Sequence, residues 1–237
     1  MPATVVLVHG ACHGAWCWDK VVDGLTARGI PSVAVDLPGH GENPDALGDL
    51  AIDAAALRAT LDGIERSVVC GHSYGGAVIT EGAAGHPGVQ HLVYITAFAL
   101  EPGESTMAAA TDGSEVDTAT KLGEAMLFAD DGTVTFQAPA VVDALYHDCA
   151  PADVEFALAR LGPQTLSSLS GMATRAAWHD IPSTSAICTA DRGVAPELQR
   201  RLAARTAETV EWDTSHSPFL SRPDLVVDLL ARIAERT

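Results

Sequence analysis

A serine flanked by glycines stands at residues 71–75, GHSYG, directly after an apolar run. This segment matches the GxSxG pattern, which places a serine on a sharp turn between a strand and a helix. The glycines permit positive φ and close approach of the neighbouring backbone, so the Ser73 hydroxyl can stand above the sheet edge. Because a plain glycine-rich turn can have the same five letters, a nucleophilic role for Ser73 depends on the residues that accompany it.

A serine hydroxyl is a weak nucleophile at neutral pH, so it needs a base within hydrogen-bond reach and a carboxylate that orients the base. Asp191 follows the apolar run at 184–188, and His216 follows the run at 209–212. The chain order serine, aspartate, histidine is the one that accompanies a GxSxG turn. If these runs are strands of one parallel sheet, the loops after them leave at the same edge as Ser73, and the three side chains can converge.

Two other aspartates compete with Asp191 for the role of partner to His216. Asp213 is closer in sequence, but at a spacing of three on the same short loop it is badly placed to reach the far ring nitrogen. Asp180 precedes a proline and fits a turn or the end of a helix. The sequence therefore favours Asp191 as the orienting carboxylate.

The loop after the first apolar run, residues 9–14, reads HGACHG. Such a loop can aim a backbone N–H at the charge that develops when a serine attacks a carbonyl, and the residue after the nucleophile supplies a second donor. We predict the N–H groups of Ala11 and Tyr74 as this pair of oxyanion donors. The residues that we expect to line the substrate pocket are Gly10, His13 and Trp16.

Two other histidine arrangements have simpler interpretations. His9 and His13 have the i, i+4 spacing of helical metal ligands, but they flank a glycine turn and lack acidic or thiolate partners at zinc-site spacings. His72, inside the GxSxG turn, is expected to pack or hydrogen-bond beneath the serine rather than act on substrate. We therefore predict no metal site and no organic cofactor.

The elements that position these residues follow from an alternation of short β-branched runs with longer helical patterns. The predicted strands are nearly continuous in apolar residues, as in a parallel sheet covered on both faces. They lie at 4–8, 32–35, 67–70, 91–95, 184–188 and 209–212. The predicted crossover helices lie at 16–28, 47–62, 74–85 and 195–205. This order predicts an α/β fold with a mostly parallel six-stranded sheet flanked by helices.

Two further segments complete the predicted fold. Ser221–Asp224 reads as a capping box with proline in the first turn of a final helix. Residues 101–182 contain no clear buried strand, and about eighty residues are too many for a connection, which usually runs about 4 to 6 residues. We predict that this segment is a helical cap inserted after the fourth of the six strands, on a core formed by 1–100 and 183–237. The alternative is that TVTFQ at 133–137 adds an edge strand to the sheet.

Composition limits the partners of the protein. The 237 residues include 14 Lys and Arg against 31 Asp and Glu, a formal net charge of −17, which disfavours nucleic acid and acidic membrane surfaces. No apolar stretch approaches the roughly 18 residues that span a bilayer. The first residues lack the parts of a secretion signal, and the five cysteines are odd in number with no CxxC pair. We therefore expect reduced thiols and a cytoplasmic location.

Several stretches together resemble the α/β-hydrolase superfamily, in particular the branch with plant methylesterases, the salicylate-binding esterase and hydroxynitrile lyases. The similar stretches are LVHGACHGAWCW, VAVDLPGHG, VVCGHSYGG, LYHDCAPADVEFALARL, CTADRGVAPELQRRLA and SHSPFLSRPDLVVDLL. The resemblance implies that Ser73, Asp191 and His216 form a catalytic triad. It also implies that Ala11 and Tyr74 supply the two backbone donors.

The same resemblance separates two chemistries. Hydroxynitrile lyases of this branch have a threonine, a glutamate and a lysine where this chain has Gly10, His72 and Ser217. The resemblance therefore implies hydrolysis of a small carboxylic ester through an acyl-enzyme. A ligand-binding receptor, a lyase-like activity, and a lactonase or thioesterase stay open as alternatives, and a monomer or a homodimer is expected.

Overall fold

The computed structural model describes residues 1–111 and 121–237. Within these ranges the chain forms nine strands. In chain order they are β1 Thr4–Val8, β2 Ser32–Val35, β3 Ser67–His72, β4 Val89–Ile95, β5 Met126–Phe128, β6 Thr133–Phe136, β7 Gln164–Thr165, β8 Ser183–Cys188 and β9 Glu208–Trp212.

The same ranges contain eleven α-helices and two short 3₁₀ turns. The helices are α1 Asp19–Ala27, α2 Leu50–Asp62, α3 Gly75–Gly82, α4 Thr106–Thr111, α5 Lys121–Ala125, α6 Ala140–Leu145, α7 Pro151–Leu158, α8 Leu166–Ser170, α9 Pro196–Ala203, α10 Pro218–Ser221 and α11 Pro223–Arg236. The 3₁₀ turns are Ala15–Trp18 and Ala177–His179.

Six strands form the main sheet, in the order β2-β1-β3-β4-β8-β9. All pairings described in this sheet are parallel, which confirms the predicted architecture. The third strand extends two residues beyond its predicted end at Cys70, because Gly71 and His72 still pair with β4. The extension carries the chain in sheet geometry up to the residue before Ser73.

Alternate residues of the strands build two separate cores, one on each face of the main sheet. Val5 and Leu7 of β1 pack in the core beneath α1 and α11. Val6 and Val8 point the other way and pack with α2 and α3. This alternation follows from the period of two along a strand, and both faces are apolar because helices cover both.

Two helix starts differ from the sequence prediction for local reasons. The second helix begins at Leu50 rather than at 47, because the Asp49 carboxylate caps it by accepting the Ile52 N–H at 3.0 Å. The predicted capping box before α11 is wrong. Arg222 is the N-cap and its guanidinium pairs with Asp224, while the Ser221 hydroxyl donates to Ser217.

The insertion, residues 101–182, lies between β4 and β8, after the fourth strand of the main sheet. It contains α4 to α8 as expected, and also a small antiparallel sheet in the order β5-β6-β7. The TVTFQ segment forms a strand over Thr133–Phe136, but it pairs inside this small sheet and not at the main sheet edge. Residues 112–120 of the predicted cap lie outside the described residues. The division into core and cap stays a prediction.

Across the described ranges, we find no helix with both the length and the apolar character needed to cross a membrane.

Candidate active site

Ser73 lies on the turn between β3 and α3 with φ of 51°, in the left-handed region that non-glycine residues rarely adopt. A Cβ added at Gly71 would lie 2.5 Å from the carbonyl oxygen of Gly75. One added at Gly75 would lie 2.6 Å from the carbonyl oxygens of Val8 and His9. The two glycines are therefore required by close backbone approach, and Ser73 occupies the strained position between them.

His216 and Asp191 form a buried pair on the loops after β9 and β8. Nδ1 of His216 lies 2.7 Å from Oδ2 of Asp191, and the two side chains are 2% and 0% exposed. The two competing aspartates do not form this pair with His216. Asp213 is exposed to solvent, and Asp180 follows the 3₁₀ turn at Ala177–His179. Of the three aspartates considered from the sequence, Asp191 is the one that contacts His216.

The backbone after Asp191 satisfies the other oxygen of its carboxylate. The N–H groups of Gly193 and Val194 donate to Oδ1 of Asp191 at 2.7 and 2.9 Å. A carboxylate in its ionised form only accepts hydrogen bonds, so these donors fit that form. They also fix the rotation of the carboxylate, which leaves Oδ2 facing His216.

Two side chains that the sequence analysis missed complete the surroundings of Asp191. The Thr96 hydroxyl donates to Oδ2 at 2.6 Å, and the Gln199 amide donates to the same oxygen at 2.8 Å. The amide of Gln199 is oriented because its oxygen accepts the Cys188 N–H at 2.8 Å. Thr96 follows β4 with φ of 42°, a strained value for a β-branched residue. Its only signal in the sequence is a polar residue directly after a predicted strand.

A small cavity of about 20 Å³ joins the catalytic candidates. Ser73 and His216 both line it, so the structure brings the two loops to one place. The remaining lining residues are Gly10, Ala11, His13 and His72 from the core, and Leu122, Phe136 and Leu145 from the insertion. The site therefore consists of polar core loops closed by apolar side chains of the insertion.

Of the predicted pocket residues, Gly10 and His13 line this cavity, but Trp16 does not. The Trp16 indole stacks on His13 with 5.3 Å between ring centroids and meets Phe156 edge-on. It lines a larger neighbouring cleft of about 640 Å³. The role of Trp16 in a substrate pocket stays a prediction, as do those of Gly10 and His13.

The loop that carries Ala11 approaches Ser73 closely. A Cβ added at Gly10 would lie 2.8 Å from Nδ1 of His72 and 3.1 Å from Cβ of Ser73, so only glycine fits. The side chain of Tyr74 points away into the core, where its hydroxyl donates to Asp53 at 2.5 Å. The roles of the Ala11 and Tyr74 N–H groups as oxyanion donors stay predictions.

The histidines around the serine are bound to backbone groups. The Nε2–H of His72 donates to the carbonyl of His216 at 2.8 Å, as expected for a residue beneath the turn. Nε2 of His9 accepts the Leu37 N–H at 3.2 Å, which occupies its lone pair. Burial lowers the pKa of His13 to about 4, so this imidazole is neutral at pH 7.

No group of three or more His, Cys, Asp or Glu side chains suited to a metal ion occurs within residues 1–111 and 121–237.

Comparison with known proteins assigns the family. The sequence profile of the alpha/beta hydrolase family matches residues 5–229. The chain therefore belongs to the α/β hydrolase family. This confirms the resemblance inferred from the glycine, serine and histidine stretches.

Curated relatives match along nearly the whole chain. Alpha/beta hydrolase nvfD from Aspergillus novofumigatus is 30% identical over 247 residues, which cover 97% of this chain and 96% of that protein. Methylesterase 9 from Arabidopsis thaliana is 27% identical over 252 residues, which cover 98% of both chains. The similarity to plant methylesterases was expected from the sequence.

Solved structures agree on the fold. A pyrethroid hydrolase from Sphingobium faniae superposes with a TM-score of 0.86 at 23% identity, over 98% of this chain and 97% of that one. Polyneuridine aldehyde esterase superposes with a TM-score of 0.86 at 21% identity, over 98% of this chain and 99% of that one. At such identities the likeness establishes the fold and nothing finer.

Proposed function

We propose that the protein is a serine hydrolase of the carboxylesterase type, which cleaves small carboxylic esters through an acyl-enzyme. One observation carries the proposal: a buried hydrogen bond of 2.7 Å joins Asp191 to His216, whose ring lines the same cavity as Ser73. An imidazole whose Nδ1 is hydrogen-bonded to a carboxylate keeps Nε2 for the role of general base.

The proposed reaction has two half-reactions. In the first, Oγ of Ser73 bonds to the ester carbonyl carbon while its proton passes to Nε2 of His216, and that proton then leaves with the alcohol as the ester C–O bond breaks. In the second, water attacks the acyl carbon and gives a proton to His216, which returns it to Ser73 as the acid departs. Asp191 stabilises the imidazolium in both halves, and the Ala11 and Tyr74 N–H groups stabilise the oxyanion.

The substrate class rests on two supports. Relatives named methylesterases match over 98% of this chain. The insertion also covers the cavity with the apolar side chains of Leu122, Phe136 and Leu145. A space of about 20 Å³ holds no more than a water molecule. We infer that these side chains move when an ester binds, and that a small apolar group of the ester then occupies the space that they leave.

Replacement of the nucleophile tests the proposal directly. In Ser73→Ala, kcat for p-nitrophenyl acetate should fall by about a thousand-fold to a million-fold, because the triad acts as a unit. Circular dichroism should show an unchanged fold. Turnover equal to the wild-type rate in the folded variant would contradict the proposal. A panel of methyl esters, aryl esters, lactones and thioesters then ranks the substrate classes, since all of them would use the same residues.

A cytoplasmic location is part of the proposal. The five cysteines are all free thiols, and the four besides Cys149 are buried. Free buried thiols fit a reducing compartment. The expected monomer or homodimer stays a prediction.

A further inference from the structure

Four consecutive residues of the insertion contact the loops that carry the catalytic candidates. These residues, Leu145–Asp148, begin at the last residue of α6 and are called the LYHD segment below. The carbonyl of Leu145 accepts the Ser215 hydroxyl at 3.1 Å, and the Asp148 carboxylate accepts the Ser215 N–H at 2.8 Å. The segment thus holds the residue directly before His216 at two points.

The acid loop is held by the same segment. The Nε2–H of His147 donates to the carbonyl of Ala190, directly before Asp191, at 2.9 Å. The Leu145 side chain packs on Gly193, where an added Cβ would lie 2.7 Å from a Leu145 methyl carbon. The backbone that supplies donors to Asp191 therefore rests against the insertion.

The LYHD segment also contacts a third loop, which carries Ala11, one of the two predicted oxyanion donors. The Tyr146 hydroxyl lies 2.7 Å from Nε2 of His13, and Nδ1 of His13 lies 2.8 Å from the carbonyl of Ala11. A carbonyl can only accept, so Nδ1 carries the proton, and the neutral ring must accept at Nε2 from the tyrosine. Both side chains are buried, with residue exposures of 1% and 3% for Tyr146 and His13. The path Tyr146, His13, Ala11 is therefore a directed chain of two hydrogen bonds.

We propose that Tyr146 is a positioning residue, which acts through His13 to hold Ala11 where its N–H can meet the oxyanion. The LYHD segment as a whole fixes the relative positions of the loops that carry His216, Asp191 and Ala11. The inference rests on the proposed hydrolase function. His13 lines the cavity at Ser73 and Tyr146 does not, so we expect the effect of Tyr146 on turnover to pass through His13.

Removal of one oxygen atom tests the proposal. In Tyr146→Phe, kcat for p-nitrophenyl acetate should fall by about 10-fold to 100-fold, part of the loss of about 100-fold to 1000-fold that follows removal of a whole oxyanion donor. KM should change by less than about threefold, because the interaction strengthens only in the transition state. Thermal unfolding gives the folded fraction for each variant.

Tyr94→Phe is the matched control. The Tyr94 hydroxyl is equally buried and pairs with Thr80 at 3.0 Å, away from the three loops. Its loss should leave kcat at the wild-type value. An equal fall of kcat in both variants would show a general cost of losing a buried hydroxyl and would overturn the proposal.

A double-mutant cycle separates action through His13 from a merely structural role. In His13→Asn the amide N–H can still donate to the Ala11 carbonyl, but the side chain is too short for its oxygen to take the place of Nε2 as acceptor for Tyr146. Tyr146→Phe should cause no further loss of kcat in that background, whereas independent roles would give additive losses. Additivity overturns the proposal.

The outcomes also distinguish this inference from the proposed function. A wild-type protein without Ser73-dependent turnover overturns the proposed function and this inference with it. Normal Ser73-dependent turnover together with an unchanged kcat in Tyr146→Phe overturns this inference alone.

Discussion

Thr96 occupies a strained backbone position and donates to the carboxylate that faces His216. Its φ is 42° and its hydroxyl lies 2.6 Å from Oδ2 of Asp191. Strain of this kind costs of order 1–3 kcal/mol and persists where surrounding contacts enforce it, commonly at active sites. Thr96 and Gln199 therefore both help to fix the orientation of the Asp191 carboxylate.

Removal of the Thr96 hydroxyl should reduce turnover without unfolding the protein. In Thr96→Val, we expect kcat to fall by about 10-fold to 100-fold, since a hydrogen bond to a charged group contributes about 1.5–3 kcal/mol. Thr96→Ser keeps the hydroxyl and should retain most of the activity. Steady-state kinetics on both variants check this expectation, and equal rates for valine and serine would count against the role of the hydroxyl.

Asp53 is a buried carboxyl behind the turn, and it accepts the Tyr74 hydroxyl. Burial raises its pKa from 3.8 to about 6. The folded protein therefore binds this proton more tightly than the unfolded chain does, and stability is lost as pH rises from about 4 through about 6.

Asp53→Asn removes this penalty. At pH 8 the variant should be more stable than the wild type by up to about 3 kcal/mol, since one pKa unit corresponds to about 1.4 kcal/mol. The difference should be small at pH 4, where the carboxyl is protonated in the folded protein and partly protonated in the unfolded chain, and it should vanish only well below pH 3.8. Urea unfolding at the two pH values measures it, and a difference that does not depend on pH would refute the explanation.

At the scale of elements, the order of the main sheet explains why a residue after β4 supports Asp191. The strand β4 lies between β3, which precedes Ser73, and β8, which precedes Asp191. A side chain at the end of β4 therefore lies between the loop that carries Ser73 and the loop that carries Asp191. Thr96 fills this place, and its contact with Asp191 follows from the strand order.

Two glycines, Gly75 and Gly24, lie where neighbouring elements approach closely. An added methyl group would meet backbone atoms at the first and a side chain at the second. Gly75→Ala would push against carbonyl oxygens of Val8 and His9 at 2.6 Å, which the sheet holds in place. Gly24→Ala in α1 would meet a methyl group of Val227 at 2.6 Å, a contact between two helices that can move apart slightly. We expect Gly75→Ala to lose on the order of 3 kcal/mol of unfolding free energy. Alanine in α1 gains helix propensity of about 1 kcal/mol, so Gly24→Ala should lose less.

Chemical denaturation of the two variants under one condition measures this difference. A smaller loss for Gly75→Ala than for Gly24→Ala would contradict the account of the turn.

The predictability of each element depended on how local its determinants are. The six strands of the main sheet and the turn at Ser73 were predicted because apolar runs and glycine spacing are local signals. The pairing of Asp191 with Thr96 and Gln199 was missed, since it arises only once distant loops meet. The small sheet was missed for a similar reason, because β6 pairs with the two-residue strand Gln164–Thr165. The capping box failed because Arg222 competed for Asp224.

At the scale of the whole molecule, one parallel sheet brings three loops from distant parts of the chain to a single edge. Ser73, Asp191 and His216 follow β3, β8 and β9 in that sheet. The insertion closes this edge and contacts the loops through the LYHD segment. Three apolar side chains of the insertion also line the cavity at Ser73.

The central claim is that Ser73 is a nucleophile activated by His216, and covalent labelling tests it most directly. The protein is treated with a fluorophosphonate, whose phosphorus bonds to an activated serine oxygen as fluoride leaves, and is analysed by intact and peptide mass spectrometry. We expect one adduct, located on Ser73, and strongly reduced labelling in His216→Ala and in Asp191→Ala. An unlabelled Ser73, or labelling at the same rate in the folded His216→Ala variant, would contradict the account.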